Sequence, residues 1–343
     1  MAKRSDHSSV VGILLFAVLL VVMLLSATMG FMKIPALEVV SVIVHKITGS
    51  GAVADQVAAS IVLDVRLPRI IGAALVGGAL AVCGAVFQAI LRNPLADPYT
   101  LGISSGAAFG ASLLIVLQVF GLALPAALSI PVFAFGGSIA TLFVVLTLAG
   151  GDRRLSATSL ILSGVIVAAI LSAAIGFLKF LADEQVGIII FWLMGSLSGI
   201  SWANIAILLP VTCVGLLVCL LFSRELNIMA TGERTAVTLG IQTARLRWLL
   251  LLVCSLMTAI SVSVSGIIGF IGLIVPHLLR HLFGPDNRRL ILFSFLGGAV
   301  LLVIADTLTR AVLPSEVPIG VLTALIGGPV FCVIFMKRQR DGM

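Results

Sequence analysis

The chain has 343 residues, 60% of them hydrophobic and only 10% charged, with a mean hydropathy of +1.26. A soluble domain carries about 25% charged residues, so lipid rather than water must solvate much of this surface. The net charge of +7 would suit a nucleic-acid binder in a soluble protein, but membrane topology accounts for it here and no nucleic-acid partner is expected.

At about 20 apolar residues per helical crossing, the length holds roughly ten spans with short connections. The apolar runs are too long for the strands of a transmembrane barrel. An all-α, polytopic membrane protein is therefore expected, organised as one transmembrane domain over residues 1–343. Lys3 and Arg4 precede an apolar run that lacks a small-residue cleavage site, which reads as a retained first span at 10–32. The second span is expected at 70–91, directly after Leu63-Asp64-Val65-Arg66-Leu67-Pro68-Arg69. The third covers 99–120, with Gly102, Gly106 and Gly110 on one face as a packing stripe.

Spans four and five follow at 126–149 and 155–178. The uncharged stretch 186–222 is too long for one helix and is interrupted at 195–201, giving a short surface or re-entrant piece and a sixth span at 202–222. The stretch 248–279 breaks near 263–266 into spans seven and eight, where Gly266, Gly269 and Gly272 crowd the eighth. Spans nine and ten occupy 290–309 and 319–336.

An even count puts both termini on one side. Fifteen of the 21 Lys and Arg residues then lie on that side, against Lys33, Lys46, Arg66, Arg69, Lys179 and Arg310 on the other. The positive-inside bias makes the richer side cytoplasmic.

Ionisable groups inside a membrane are costly and usually functional, and here they are few. Asp306 lies near the outer end of span nine with Arg310 one turn later, a spacing at which acid and base pair on one helix face. His277 follows Pro276 in span eight and reads as a structural residue at a kink. The five cysteines (Cys83, Cys213, Cys219, Cys254 and Cys332) sit in apolar stretches without a CxxC pair and read as small buried residues. There is no HExxH, no serine–histidine pairing and no chain of acids for a proton relay, so neither a catalytic nor a metal site is expected. None of the five lysines follows a glycine, which excludes a Walker A loop and leaves any use of ATP to a partner.

Two regions read as contact surfaces. On the outer side, Arg66 and Arg69 together with Arg310 can form a basic cluster for an acidic partner, or simply snorkel to headgroups. On the inner side the longest loop, 223–247, contains Gly232-Glu233 and Leu239-Gly240 and reads as a short helix with a glycine stop.

The segments Arg66-Leu-Pro-Arg69, Asn93-Pro-Leu-Ala-Asp-Pro98, Leu101-Gly-Ile-Ser-Ser-Gly106 and Trp192-Leu-Met-Gly-Ser196 run through most of the chain. Gly232-Glu233 with Leu239-Gly240, Gly269-Phe-Ile-Gly-Leu-Ile-Val-Pro-His277 and Val317-Pro-Ile-Gly-Val321 complete the set. Taken together, these closely resemble the FecCD-type permeases of ABC importers for iron-siderophores, haem and cobalamin.

The resemblance implies a type II importer architecture. A homodimer of ten-span subunits in the bacterial inner membrane would have two cytoplasmic ATPase subunits below and a periplasmic binding protein above. It implies binding-protein docking through Arg66, Arg69 and Arg310. It implies ATPase coupling through Gly232, Glu233, Ala236, Leu239 and Gly240. It also implies a cytoplasmic gate at Asn93 and Leu95 and at Leu155, Ser156, Ala157 and Thr158. The chain itself needs no cofactor on this reading. The competing reading is a secondary transporter driven by an ion gradient, which should carry paired acids in the membrane.

Overall fold

The computed structural model describes residues 2–49, 55–122, 125, 128–150, 156–311 and 316–341. Among these residues there are helices and no strand. Seven helical stretches are long and apolar enough to cross a membrane, and three further apolar helices are shorter.

In chain order the ten are α1 (Ala2–Thr28), α4 (Leu67–Ile90), α5 (Ile103–Val119), α6 (Ile130–Ala149), α7 (Ala157–Ala182), α9 (Trp202–Leu221), α12 (Thr243–Ser265), α13 (Ile271–Phe283), α14 (Asn287–Ala311) and α15 (Ile319–Asp341). They correspond one to one with the ten expected spans. The expected start of span four at Ala126 and the loop arginines Arg153 and Arg154 lie outside the described residues.

The connections differ more from expectation. The outer segment after α1 contains the helix α2 (Ala36–Thr48), which buries Val39 and Val42 against the bundle. A short α3 (Gln56–Ser60) and a π-helical stretch at Ile61–Arg66 then run without a break into α4. The short surface or re-entrant piece is α8 (Val186–Leu193), joined to α7 through a 3₁₀ turn at Asp183–Gln185. The inner loop is two helices rather than one, α10 (Ser223–Thr231) and α11 (Glu233–Thr238), and its last residues 243–247 already belong to α12. Gly232 stands between α10 and α11 at φ +140°, a conformation that only glycine adopts cheaply.

Helix α4 is the axle of the bundle, with nearly all its residues from Pro68 to Ile90 buried. Lipid tails are as apolar as leucine, so helices here associate through close backbone approach at small residues. A Cβ on Gly77 would run into the carbonyl of Gly298 on α14, and one on Gly84 into the carbonyl of Gly272 on α13. The stripe on α5 does the same work against α6, where Gly106 faces the Gly137 carbonyl and Gly110 the Phe133 carbonyl. Gly102 instead caps α5 at φ +73°. Gly266 and Gly269 lie in the break before α13 and not on its face, so Gly272 alone of that trio is a helix-packing glycine. Cys83, Cys219 and Cys254 are buried as expected, whereas Cys213 and Cys332 face outward from α9 and α15.

These crossings predict a selective sensitivity. Gly84→Ala must push α4 and α13 apart and should lower stability by about 1–3 kcal/mol, as overpacking does. Gly136→Ala, where nothing lies within 4 Å of the added carbon, should leave it unchanged. Thermal unfolding of both variants in detergent reads the difference.

Candidate functional site

At one end of the bundle, the unbroken helical run 56–69 brings Arg66 and Arg69 to the C-terminal end of α14. The three arginines converge, but they point inward. Arg66, Arg69 and Arg310 keep only 6%, 8% and 7% of their surfaces exposed, so they are neither open to solvent nor snorkelling. Arg66 donates from Nη1 to the Ala27 carbonyl at 2.6 Å and from Nη2 to the Met32 carbonyl. Arg310 donates from Nη2 to the Ser26 carbonyl and hydroxyl, both at 2.6 Å, and from Nη1 to the Met29 carbonyl.

A helix leaves its last four carbonyls without intrahelical donors. In α1 these are filled by Thr28 Oγ1 on Leu25, Arg310 on Ser26, Arg66 on Ala27 and the Ile34 amide on Thr28.

Asp306 is 1% exposed and pairs with two arginines, not with Arg310 alone: Arg69 Nε at 2.9 Å and Arg310 Nε at 3.3 Å. Arg69 extends its Nη1 to Glu316 at 2.9 Å, and this carboxylate is 41% exposed. Beside them lies a cavity of about 250 Å³, lined among others by Arg69, Asp306, Thr309 and Glu316. Glu316 was missed in the sequence. Its only signal is that it is the one acid between Asp306 and span ten.

Next to this cluster, three unwound segments are stitched together. The Ser196 amide donates to the Ser265 carbonyl, and the Ile319 and Gly320 amides donate to the Gly195 and Met194 carbonyls. Tyr99, the chain's single tyrosine, donates its hydroxyl to the Ile268 carbonyl at 2.8 Å and accepts from the Ile268 amide at 3.3 Å. Phe270 sits at φ +69°, an uncommon conformation for a residue with a side chain, at the entry to α13.

At the opposite end, Glu233 opens α11 and reaches Arg247 of α12 at 3.6 Å, which ties the helix pair to span seven. Ala236, within α11, is fully buried. Val237 and Leu239 stand out at 57% and 63% exposure, and Gly240 ends the element at φ +84°.

On the same face, Asn93 Oδ1 accepts from the Leu95 amide at 3.0 Å, and Leu95 is exposed. Asp97 Oδ1 accepts from the Tyr99 amide and the Thr100 hydroxyl, while burial pushes its carboxyl above the usual range. Ser156 caps α7 by accepting from the Ser159 amide, with Ala157 and Thr158 in the first turn; Leu155 lies outside the described residues. Among the described residues no group of three or more His, Cys, Asp or Glu is placed to hold a metal.

This architecture has close counterparts. The haemin transport permease HmuU of Yersinia pestis is 42% identical over 289 residues, covering 82% of this chain and 85% of its own. The cobalamin import permease BtuC of Halobacterium salinarum is 43% identical over 288 residues, covering 83% of this chain and 75% of its own. A solved metal-chelate type ABC transporter in an inward-facing conformation superposes with a TM-score of 0.81 at 32% identity, covering 95% of this chain and 99% of that one. The model of the FecCD transport family matches residues 18–337, and this chain belongs to that family as a membrane-spanning permease of the ABC-importer type.

Proposed function

We propose that the chain carries a metal chelate into the cytoplasm, an iron-siderophore first and haem or cobalamin as the other members of that class. It would act as a pair of permeases with two ATPase subunits at the α10–α11 face and a binding protein at the arginine face. The observation that carries this reading is the α10–Gly232–α11 element. It is a compact helix pair tied to α12 by Glu233 and Arg247, with exposed Val237 and Leu239 to meet a partner. Between their ends the spans carry no chain of acids for an ion-driven mechanism, which supports an ATP-driven passage of a bulky chelate. The positive-inside bias supports placing the α10–α11 face in the cytoplasm of a bacterial inner membrane, with both termini on that side.

Docking through Arg66, Arg69 and Arg310 is proposed in a narrower form than the sequence suggests. Arg66 and Arg310 are committed to the end of α1, whereas the Glu316 carboxylate on Arg69 is exposed and can yield to a carboxylate of the binding protein. The gate is proposed at Asn93, Leu95 and Ser156–Thr158, where the capped start of α7 and the Asx turn at Asn93 form short, separately movable units.

Reconstitution tests the reading. Proteoliposomes holding the permease should take up ferric siderophore only when ATPase, ATP and binding protein are all present, and an ionophore should not stop them. Uptake that follows an ion gradient without the ATPase would sink it.

The coupling element gives a second measurement. Gly240→Val forces a β-branched residue into φ +84°, and Glu233→Gln weakens the tie to Arg247. Both variants should assemble and hydrolyse ATP while uptake per ATP drops several-fold. Unchanged uptake in both would reduce 223–243 to a connector.

A further inference from the structure

On the face that bears α10 and α11, a cavity of about 500 Å³ opens between the end of α4, α10 and α13. Its wall is built from Gln88, Arg92, His277, Arg280, His281 and Asn287. His277, Arg280 and His281 share one face of α13 through their spacing of three and four residues. Arg92 is presented from the turn after α4 at φ +49°.

No carboxylate lines this space. The nearby Asp286 is occupied, accepting from the Asn227 amide side chain at 2.8 Å and from the Arg288 backbone amide at 3.1 Å. Among the described residues neither Arg92 nor Arg280 has a carboxylate partner.

A second observation comes from Gln88, which is only 2% exposed. Its Nε2 donates to the Leu273 carbonyl at 3.1 Å in α13, which fixes the orientation of the amide. Its Oε1 is buried and accepts nothing. An unfilled buried acceptor is costly and calls for a donor, at the edge of a space whose other walls call for negative charge.

We propose that this cavity binds a phosphate group that carries a neighbouring hydroxyl or ammonium donor. The anionic oxygens accept from Arg92, Arg280 and His281, and the donor fills Gln88 Oε1. Monohydrogen phosphate meets the description through its P–OH. So does an ethanolamine or glycerol phospholipid headgroup at the inner leaflet. Sulfate and a choline headgroup, which lack the donor, do not. None of its lining residues named above is among those assigned to docking or coupling.

The test uses the full-length chain in phosphatidylcholine nanodiscs, titrated calorimetrically with inorganic phosphate and with sulfate. Native mass spectrometry of the detergent-purified chain detects retained phosphatidylethanolamine or phosphatidylglycerol. Arg280→Gln is the direct variant. Arg92→Gln and His281→Gln alter exposed side chains and keep the test open should the first fail to fold.

Phosphate binding that is stronger than sulfate binding, and about tenfold weaker in each variant, assigns the site to free phosphate. Retained lipid that the variants lose assigns it to a headgroup. The proposal is overturned if neither ligand binds, if sulfate matches phosphate, or if all variants bind like wild type. It is equally overturned if the variants lose only ATPase assembly, which would make the cavity a socket for a partner's carboxylate.

Discussion

Inside an apolar bundle every backbone carbonyl and amide that leaves a helix must find a partner within the protein, because lipid offers none. Helix α1 shows what this demands. Its last four carbonyls accept from Thr28, Arg310, Arg66 and Ile34, so two buried guanidiniums close a helix end that would otherwise stand open. The same demand recurs at the break between α12 and α13. There the Tyr99 hydroxyl serves both the carbonyl and the amide of Ile268, and neighbouring breaks at 194–197 and 317–320 pair with the same knot. At these breaks another stretch of chain or a side chain answers the non-helical backbone.

Placing arginines at such positions creates the next requirement, compensation of their charge. Asp306 supplies it by holding Arg69 and Arg310 together, and Glu316 completes the pairing at the rim. This end therefore combines a buried charged layer with an exposed carboxylate, Glu316, at its rim. At the other end the pattern is different: α10 and α11 project, tied back by the Glu233–Arg247 pair, and α4 and α13 cross on bare backbone between them and the knot. A bundle with glycine contacts at its crossings and fixed polar ties at its ends suits small rigid-body rocking of helices, the motion an importer needs.

The ten spans were legible because hydropathy measures the same quantity that lipid imposes, and both long runs break at glycine-bearing stretches. What sequence could not give is direction. Arg66, Arg69 and Arg310 were found, but their acceptors are main-chain carbonyls and acids up to 284 positions away, which carry no residue-type signal. Helix α2 was hidden because its 13 residues are too short and too mixed for a span-seeking scan. The split at Gly232 was hidden because one glycine can stop a helix or join two. Gln88 reads as an ordinary polar residue until its neighbours on α13 are in place.

Arg66, Arg69 and Arg310 are part of the fold before they are part of any docking surface. Thermal or denaturant unfolding of the isolated permease carrying Arg310→Met tests it directly, with no binding protein present. A loss of about 3 kcal/mol or more is expected, since the substitution orphans the Ser26 and Met29 carbonyls and leaves Asp306 with a single arginine. A midpoint equal to that of the wild type would contradict it and return Arg310 to a purely surface role.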